Sequence, residues 1–189
     1  MIHILEKKNC VGCEACVQVC PKKCISFIQD EEGFLYPIVD VKNCIVCNLC
    51  EKVCPTINFC QERKPLKIYA LINKDSSDLF CSSSGAIFPI LARLILKKNG
   101  VVVGASFDND WTVRHKVVTS NDELSALLGS KYVQSRIGNT YICVKKKLDE
   151  GKYVLFTGTP CQIAGLKHFL RKDYLNLLLV EVVCHSVHF

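Results

Sequence analysis

Two kinds of segment are missing from this 189-residue chain. No apolar run reaches the roughly 20 residues that a membrane-spanning helix needs; the longest, Leu177 to Val183, is interrupted by Glu181. The opening residues, Met1-Ile2-His3-Ile4-Leu5-Glu6-Lys7-Lys8, contain no apolar h-region and no small-residue cleavage site, so no secretory leader is expected. Low-complexity tracts are also absent, and 49% apolar residues supply material for a real core. The length suits one ordinary domain plus a small one. What the chain has in abundance is cysteine, 14 in all. Without secretory features, that many thiols must be kept reduced or metal-bound, which argues against a disulfide framework. It points to the cytoplasm of an anaerobic or microaerophilic cell.

Eight of those cysteines form two matched ladders, Cys10-x2-Cys13-x2-Cys16-x3-Cys20-Pro21 and Cys44-x2-Cys47-x2-Cys50-x3-Cys54-Pro55. Each is the run of a bacterial two-cluster ferredoxin. Three thiolates at this spacing curl a short loop around one face of an iron–sulfur cube, and the fourth points at the other cube. The expected ligands are therefore Cys10, Cys13, Cys16 and Cys54 for one [4Fe–4S] cluster, and Cys44, Cys47, Cys50 and Cys20 for the second. Pro21 and Pro55 end each loop by fixing φ and removing a donor. A structural zinc site wants only four ligands, typically two C-x2-C pairs, and gives no reason for two matched runs.

The formal charge of +6 invites a nucleic-acid reading. Two oxidised cubes with their thiolates carry about −2 each, which leaves roughly +2. The lysines are also scattered, as Lys7-Lys8, Lys22-Lys23, Lys97-Lys98 and Lys145-Lys146-Lys147. Solvated surface accounts for them, with a docking patch for an acidic redox partner as the functional alternative. No nucleic-acid partner is expected.

Residues 1–60 read as the cluster module, a duplication with repeats at about 1–30 and 35–60. Ile25 to Ile28 and Leu35 to Val39 flank the polar turn Asp30-Glu31-Glu32-Gly33 as a hairpin. Residues 61–65 read as a linker. From Leu66 to 189 strands and helices alternate, the pattern of an α/β domain with a mixed sheet and flanking helices. Strands are expected over 68–72, 101–107, 111–118, 153–156 and 177–183. Trp111, Val113, His115 and Val117 should share one face. Helices are expected over 86–98, from the capping box Ser120-x-x-Glu123 to Leu128, along the stripe Ile137, Tyr141, Val144, Leu148, and over 160–170.

Within this second domain, Gly158-Thr159-Pro160-Cys161-Gln162 carries the sharpest signal. Thr159 caps a helix, Pro160 takes its first position and Gln162 completes a capping box, so Cys161 lies in the first turn, where free amides and the dipole favour a thiolate. There it can ligate, react or simply pack. Cys184-His185 follows the last strand, at the sheet edge where α/β proteins place ligands; His185 suits a ligand or a surface imidazole. Ser82-Ser83-Ser84-Gly85 precedes a helix and suits either an anion cradle or a plain serine-rich cap. Gly129-Ser130-Lys131-Tyr132 offers a turn, a cation and an aromatic face. Cys24, Cys60, Cys81 and Cys143 have no spacing logic, and His3, His115, His168 and His188 receive no role.

A two-cluster ferredoxin followed in order by Ser82-Ser83-Ser84-Gly85, Gly129-Ser130-Lys131-Tyr132-Val133-Gln134-Ser135, Gly158-Thr159-Pro160-Cys161-Gln162 and Cys184-His185 resembles the coenzyme F420 hydrogenase/dehydrogenase beta-subunit family. The resemblance covers nearly the whole chain. It implies an iron–sulfur flavoprotein that passes electrons between ferredoxin-type clusters, FAD in the α/β domain and a small-molecule substrate. It makes Ser82, Ser83, Ser84, Gly85, Ser130 and Lys131 candidate flavin contacts, and Cys161 and Cys184 candidate ligands of a third [4Fe–4S] cluster. It also implies a redox partner such as a ferredoxin, hydrogenase or dehydrogenase subunit. Ala86 departs from the family, which usually has a glycine there. The family also continues well past its Cys-His-Gly, whereas this sequence stops at Phe189, so the α/β portion is expected to be incomplete. The alternative is an electron carrier or subunit with no catalytic site of its own.

Overall fold

The computed structural model describes residues 1–3, 6–58 and 64–184. In the N-terminal unit, two short helices, α1 (Ala15–Val19) and α2 (Leu49–Lys52), flank a hairpin of β1 (Ile25–Gln29) and β2 (Leu35–Val39). The strands pair antiparallel, with Ile25 opposite Val39 and Gln29 opposite Leu35. Asp30 closes the turn, its Oδ1 accepting the amides of Glu32 at 3.1 Å and Phe34 at 3.0 Å. Each helix is entered from a left-handed residue, Glu14 at φ 57° and Asn48 at φ 57°, so the two repeats bend the chain alike. The unit's own core is Ile2, Cys16, Cys24, Ile25 and Cys50. Three of these five are thiols, a core too thin to hold a domain without staples.

The second unit begins with α3 (Ser76–Phe80) and α4 (Ile87–Lys97). Asp75 caps α3, and Asp78 receives the Arg93 guanidinium of α4, with Nη2 to Oδ1 at 2.6 Å. Strands β3 (Val101–Phe107), β4 (Val113–Val118), β5 (Ser135–Arg136), β6 (Val154–Gly158) and β7 (Leu177–Glu181) form a mixed sheet in the order β5-β4-β3-β6-β7. β3 and β4 run antiparallel as a hairpin, whereas β4–β5, β3–β6 and β6–β7 are parallel. On one face, α4 and the capped turn α5 (Asn121–Leu124) cover Val102, Val118 and Leu155. On the other, α6 (Thr140–Asp149) and α7 (Pro160–Leu170) cover Val101, Val103, Val154 and Phe156. With both faces covered, β6 is buried along its whole length, and Val154, Leu155 and Phe156 follow one another without polar alternation before Thr157.

The two units share a core. Cys13, Ala15 and Val53 of the first pack in one cluster with Tyr141, Ile163 and Leu166 of the second. Polar bonds reinforce the junction. The Glu14 carboxylate accepts the amides of Ile137 at 2.8 Å and Gly138 at 2.9 Å, and Gln18 Oε1 accepts that of Ile142 at 3.2 Å. These satisfy donors at the start of α6, where an acidic side chain also meets the positive end of the helix dipole.

Two local expectations fail. No strand forms over 68–72: Leu66, Ile68, Tyr69, Leu71 and Ile72 are all exposed, and no described strand lies alongside. The chain instead meets the turn before α4, where the Asn73 amide donates to Gly85 O at 2.8 Å. Trp111 leaves the face expected for it. It sits in the β3–β4 turn at φ 64°, 78% exposed, edge-on to Phe107 at 5.8 Å. His115 and Val117 do turn toward the α6–α7 side of the sheet, His115 stacking on Phe156 at 5.2 Å.

Candidate metal centres

The eight ladder cysteines are divided between two cavities. Cys10, Cys13, Cys16 and Cys54 line one, together with Ile2, Phe27 and Pro37; it encloses about 320 Å³ of space between atoms, partly open to solvent. Cys20, Cys44, Cys47 and Cys50 line the other, with Ile25, Val39 and Leu49, around about 340 Å³. Each cavity thus takes three thiols from one ladder and the fourth from the other. The crossing follows from the short helices: α1 carries the chain from Cys16 over to Cys20 beside the second ladder, and α2 returns Cys54 beside the first. Among the described residues no three His, Cys, Asp or Glu side chains converge on a single-ion site. Four thiols spread around a void suit a polynuclear cluster, whose ligands bind separate corners, better than the compact tetrahedron of zinc.

The donors fit that chemistry. Burial pushes the Cys13 thiol up to about 12 and raises Cys16 and Cys10 as well. Such groups are neutral when bare and become thiolates only with a cation to compensate them. Amides are aimed at the sulfurs. Ile2 N–H donates to Cys50 Sγ at 3.1 Å, Gly12 N–H to Cys10 and Ala15 N–H to Cys13. Desolvation raises Cys20, but the amides of Cys24, Lys22 and Lys23 and the Cys24 thiol outweigh it, and its affinity for a proton falls below that of an ordinary thiol.

Cys24, which the ladder spacing leaves unassigned, lines the second cavity with its sulfur 3.4 Å from Cys20 Sγ. The hydrogen bond to Cys20, followed by burial, pushes its own thiol up to about 11, so it stays protonated and donates. The sequence carries a signal for it, because the residue just before β1 follows Cys20 by only four positions and cannot lie far from it. Sequence spacing gives no sign of Glu14. It lines the first cavity and anchors it to α6.

Beyond the ladders, the Thr159–Gln162 capping box forms, with Thr159 N–H donating to Gln162 Oε1 at 3.0 Å. Cys161 lies in the first turn of α7, 3.0 Å from Thr159 Oγ1. It is close enough to Cys13 for a charge on either sulfur to be felt by the other. Cys184 follows β7, the strand next to β6, so both cysteines sit past the carboxyl ends of adjacent strands. His185, Cys60, His188 and residues 61–63 of the expected linker lie outside the described residues. The serine and Gly-Ser-Lys segments do meet, the Ser130 amide donating to Ser83 Oγ at 2.7 Å. Ser82 Oγ is buried with no partner among the described residues. Ser84 is exposed, and the turn closes through Gly85 onto Ala86, which caps α4 at φ 55°. The Lys131 ammonium, however, donates to the carbonyls of Leu128 at 2.7 Å, Gly129 at 3.1 Å and Ala126 at 3.4 Å, and burial lowers its proton affinity. It closes the turn after α5.

Comparison with known proteins agrees with the N-terminal geometry. Residues 9–58 match the family model of the 4Fe-4S dicluster domain. The N-terminal unit is a ferredoxin-like dicluster module, built for electron transfer through [4Fe–4S] clusters, and an α/β region with a mixed sheet follows it. No curated protein matches the chain.

Proposed function

We propose that this chain is an iron–sulfur electron-transfer protein whose two [4Fe–4S] clusters serve an oxidoreductase reaction at or beside its α/β domain. The observation that carries the reading is the division of the ladder thiols into Cys10, Cys13, Cys16, Cys54 and Cys20, Cys44, Cys47, Cys50. Bound there, the clusters supply one-electron chemistry at potentials set by burial and by hydrogen bonds to sulfur. The chain's residues do the rest. The ladder cysteines ligate as thiolates, and the amides of Ile2, Gly12, Ala15, Lys22, Lys23 and Cys24 stabilise the negative charge gathered on them. Cys13 lies against α7, so one cavity faces the α/β domain.

The finer reading follows the resemblance to the coenzyme F420 hydrogenase/dehydrogenase beta-subunit family. Ser82, Ser83, Ser84, Gly85, Ser130 and Lys131 would contact FAD, Cys161 and Cys184 would help to hold a third cluster, and a small molecule would be the substrate. The Ser83–Ser130 bond and the Ser82 hydroxyl, buried with no partner among the described residues, support it. The three carbonyl bonds of Lys131 favour the second reading, a carrier or subunit without its own catalytic site. Anaerobic purification with iron, sulfide and flavin quantified per chain separates them. About eight irons and no flavin mean a relay; about twelve irons with one flavin mean the flavoenzyme. Colourless protein, with no paramagnetic signal after reduction, removes both.

A further inference from the structure

The two cavities differ in what covers them. The Cys10–Cys54 cavity is closed on one side by the α/β domain: Glu14 is bonded to Ile137 and Gly138, and α7 passes against Cys13. Every described residue lining the Cys20–Cys50 cavity belongs to the N-terminal unit. Over that second cavity runs the loop 41–48. It exposes Val41 at 65%, Ile45 at 57% and Val46 at 64%, with Cys47 exposed beside them. Val46 adopts φ 52°. A β-branched residue there is a steric outlier, the kind of strain that persists at functional positions. Lys22 lines the cavity with Lys23 next to it in the chain, Lys42 belongs to the loop itself, and Lys52 follows Cys50 by two residues. All four are exposed, and none forms an ion pair with a described residue. The nearby Asp40 carboxylate is occupied by its own loop, accepting Lys42 N at 3.1 Å and Asn43 Nδ2 at 2.7 Å.

From this asymmetry we propose that the 41–48 loop and Lys22, Lys23, Lys42 and Lys52 form the docking surface for an acidic one-electron redox protein. An apolar loop flanked in the chain by cations that have no ion-pair partner among the described residues is the complement of such a partner. The cations steer the encounter, and the apolar loop excludes water where the two centres approach. In the exchange the partner's centre would lose one electron, and a cluster held by Cys20, Cys44, Cys47 and Cys50 would gain it, with no bond made or broken. The Cys10–Cys54 cavity, against α7, is then the inner station. The proposal rests on the reading that clusters fill both cavities.

The test uses the anaerobically reconstituted full chain, with a reduced acidic ferredoxin as donor probe and a basic cytochrome as counter-probe. Exchange with the acidic ferredoxin should slow about tenfold as salt is raised from low to high ionic strength. The variant Lys22→Gln/Lys23→Gln/Lys42→Gln/Lys52→Gln changes side chains only and leaves the main-chain amides of residues 22 and 23 on Cys20, so it should keep the parent's iron and sulfide, yet exchange about tenfold more slowly at low salt and lose most of the salt dependence. The control Lys145→Gln/Lys146→Gln/Lys147→Gln on α6 should match the parent. An unchanged rate in the four-lysine variant, an equal loss in the α6 control, or a preference for the basic cytochrome overturns the docking surface while leaving the clusters in place. Parent protein lacking the second cluster's iron strikes the cluster reading itself, and this proposal with it.

Discussion

Gly165 of α7 lies directly against Cys13: a Cβ built on this glycine would sit 3.2 Å from the Cys13 sulfur and 3.0 Å from the Tyr141 hydroxyl oxygen. Glycine in a helix interior costs about 1 kcal/mol relative to alanine, and here it lets a ligand-bearing loop touch the α7 backbone. Replacing Gly165 with Val should destabilise the chain by about 1–3 kcal/mol through overpacking. Urea unfolding of the loaded protein reads this directly, and iron retention should fall with it. An unchanged midpoint would mean that the junction yields freely at this point.

The crossed cavities make a sharp prediction about variants. Cys54→Ala should produce the same residual paramagnetic spectrum as Cys10→Ala, although the two lie 44 residues apart in sequence. Cys20→Ala should instead resemble Cys44→Ala. Spectra grouped by ladder, with Cys54 joining Cys44, would show that each repeat serves itself.

Cys24 should tune one centre and leave the other alone. Its S–H donates to Cys20 Sγ, and a donor to a ligand sulfur favours the more negative, reduced state. Cys24→Ala should therefore lower the reduction potential of one cluster, with Cys24→Ser recovering part of the difference. A redox titration followed by paramagnetic resonance resolves the two centres. Equal shifts in both would count against a local hydrogen bond.

His115 predicts a pH dependence. Its Nε2–H donates to Thr157 O at 3.0 Å, which leaves Nδ1 to accept the Ser135 hydroxyl at 2.6 Å. Burial holds the imidazole down to about 4 from its usual 6.5. Below the unfolded value the unfolded chain takes up a proton that the folded chain refuses, so stability is full above 6.5 and declines as pH falls toward 4. Between pH 7.5 and pH 5 this group alone should remove about 2 kcal/mol. Urea midpoints at the two pH values, compared with those of His115→Gln, isolate the contribution; an identical pH response in the variant would assign it elsewhere.

What could be read in advance was written locally. The ladders, the Thr159–Gln162 box and the α6 stripe are short-range patterns, and α7 runs over the residues that Thr159 and Pro160 announce. What escaped depended on partners distant in sequence. The 66–72 segment has the residues of a strand but no neighbour among the described residues to pair with. Trp111 follows the turn geometry, not the alternation of β4. The sequence shows Lys131 as the cation of its turn, and only the fold supplies the carbonyls of Ala126, Leu128 and Gly129 that take its described bonds. Ala86 was noted for replacing a glycine, and its φ of 55° gives the reason a glycine would suit the position. His115 was placed on the correct face, but only the fold supplied Ser135 and Thr157.

The junction built by Glu14, Gln18 and Gly165 joins parts of the chain more than 120 residues apart without using the covalent path between them. That path runs through 64–72, where every side chain is open to solvent. A protease cutting there would sever the polypeptide yet leave both fragments clasped, migrating as a single particle until denaturant parts them.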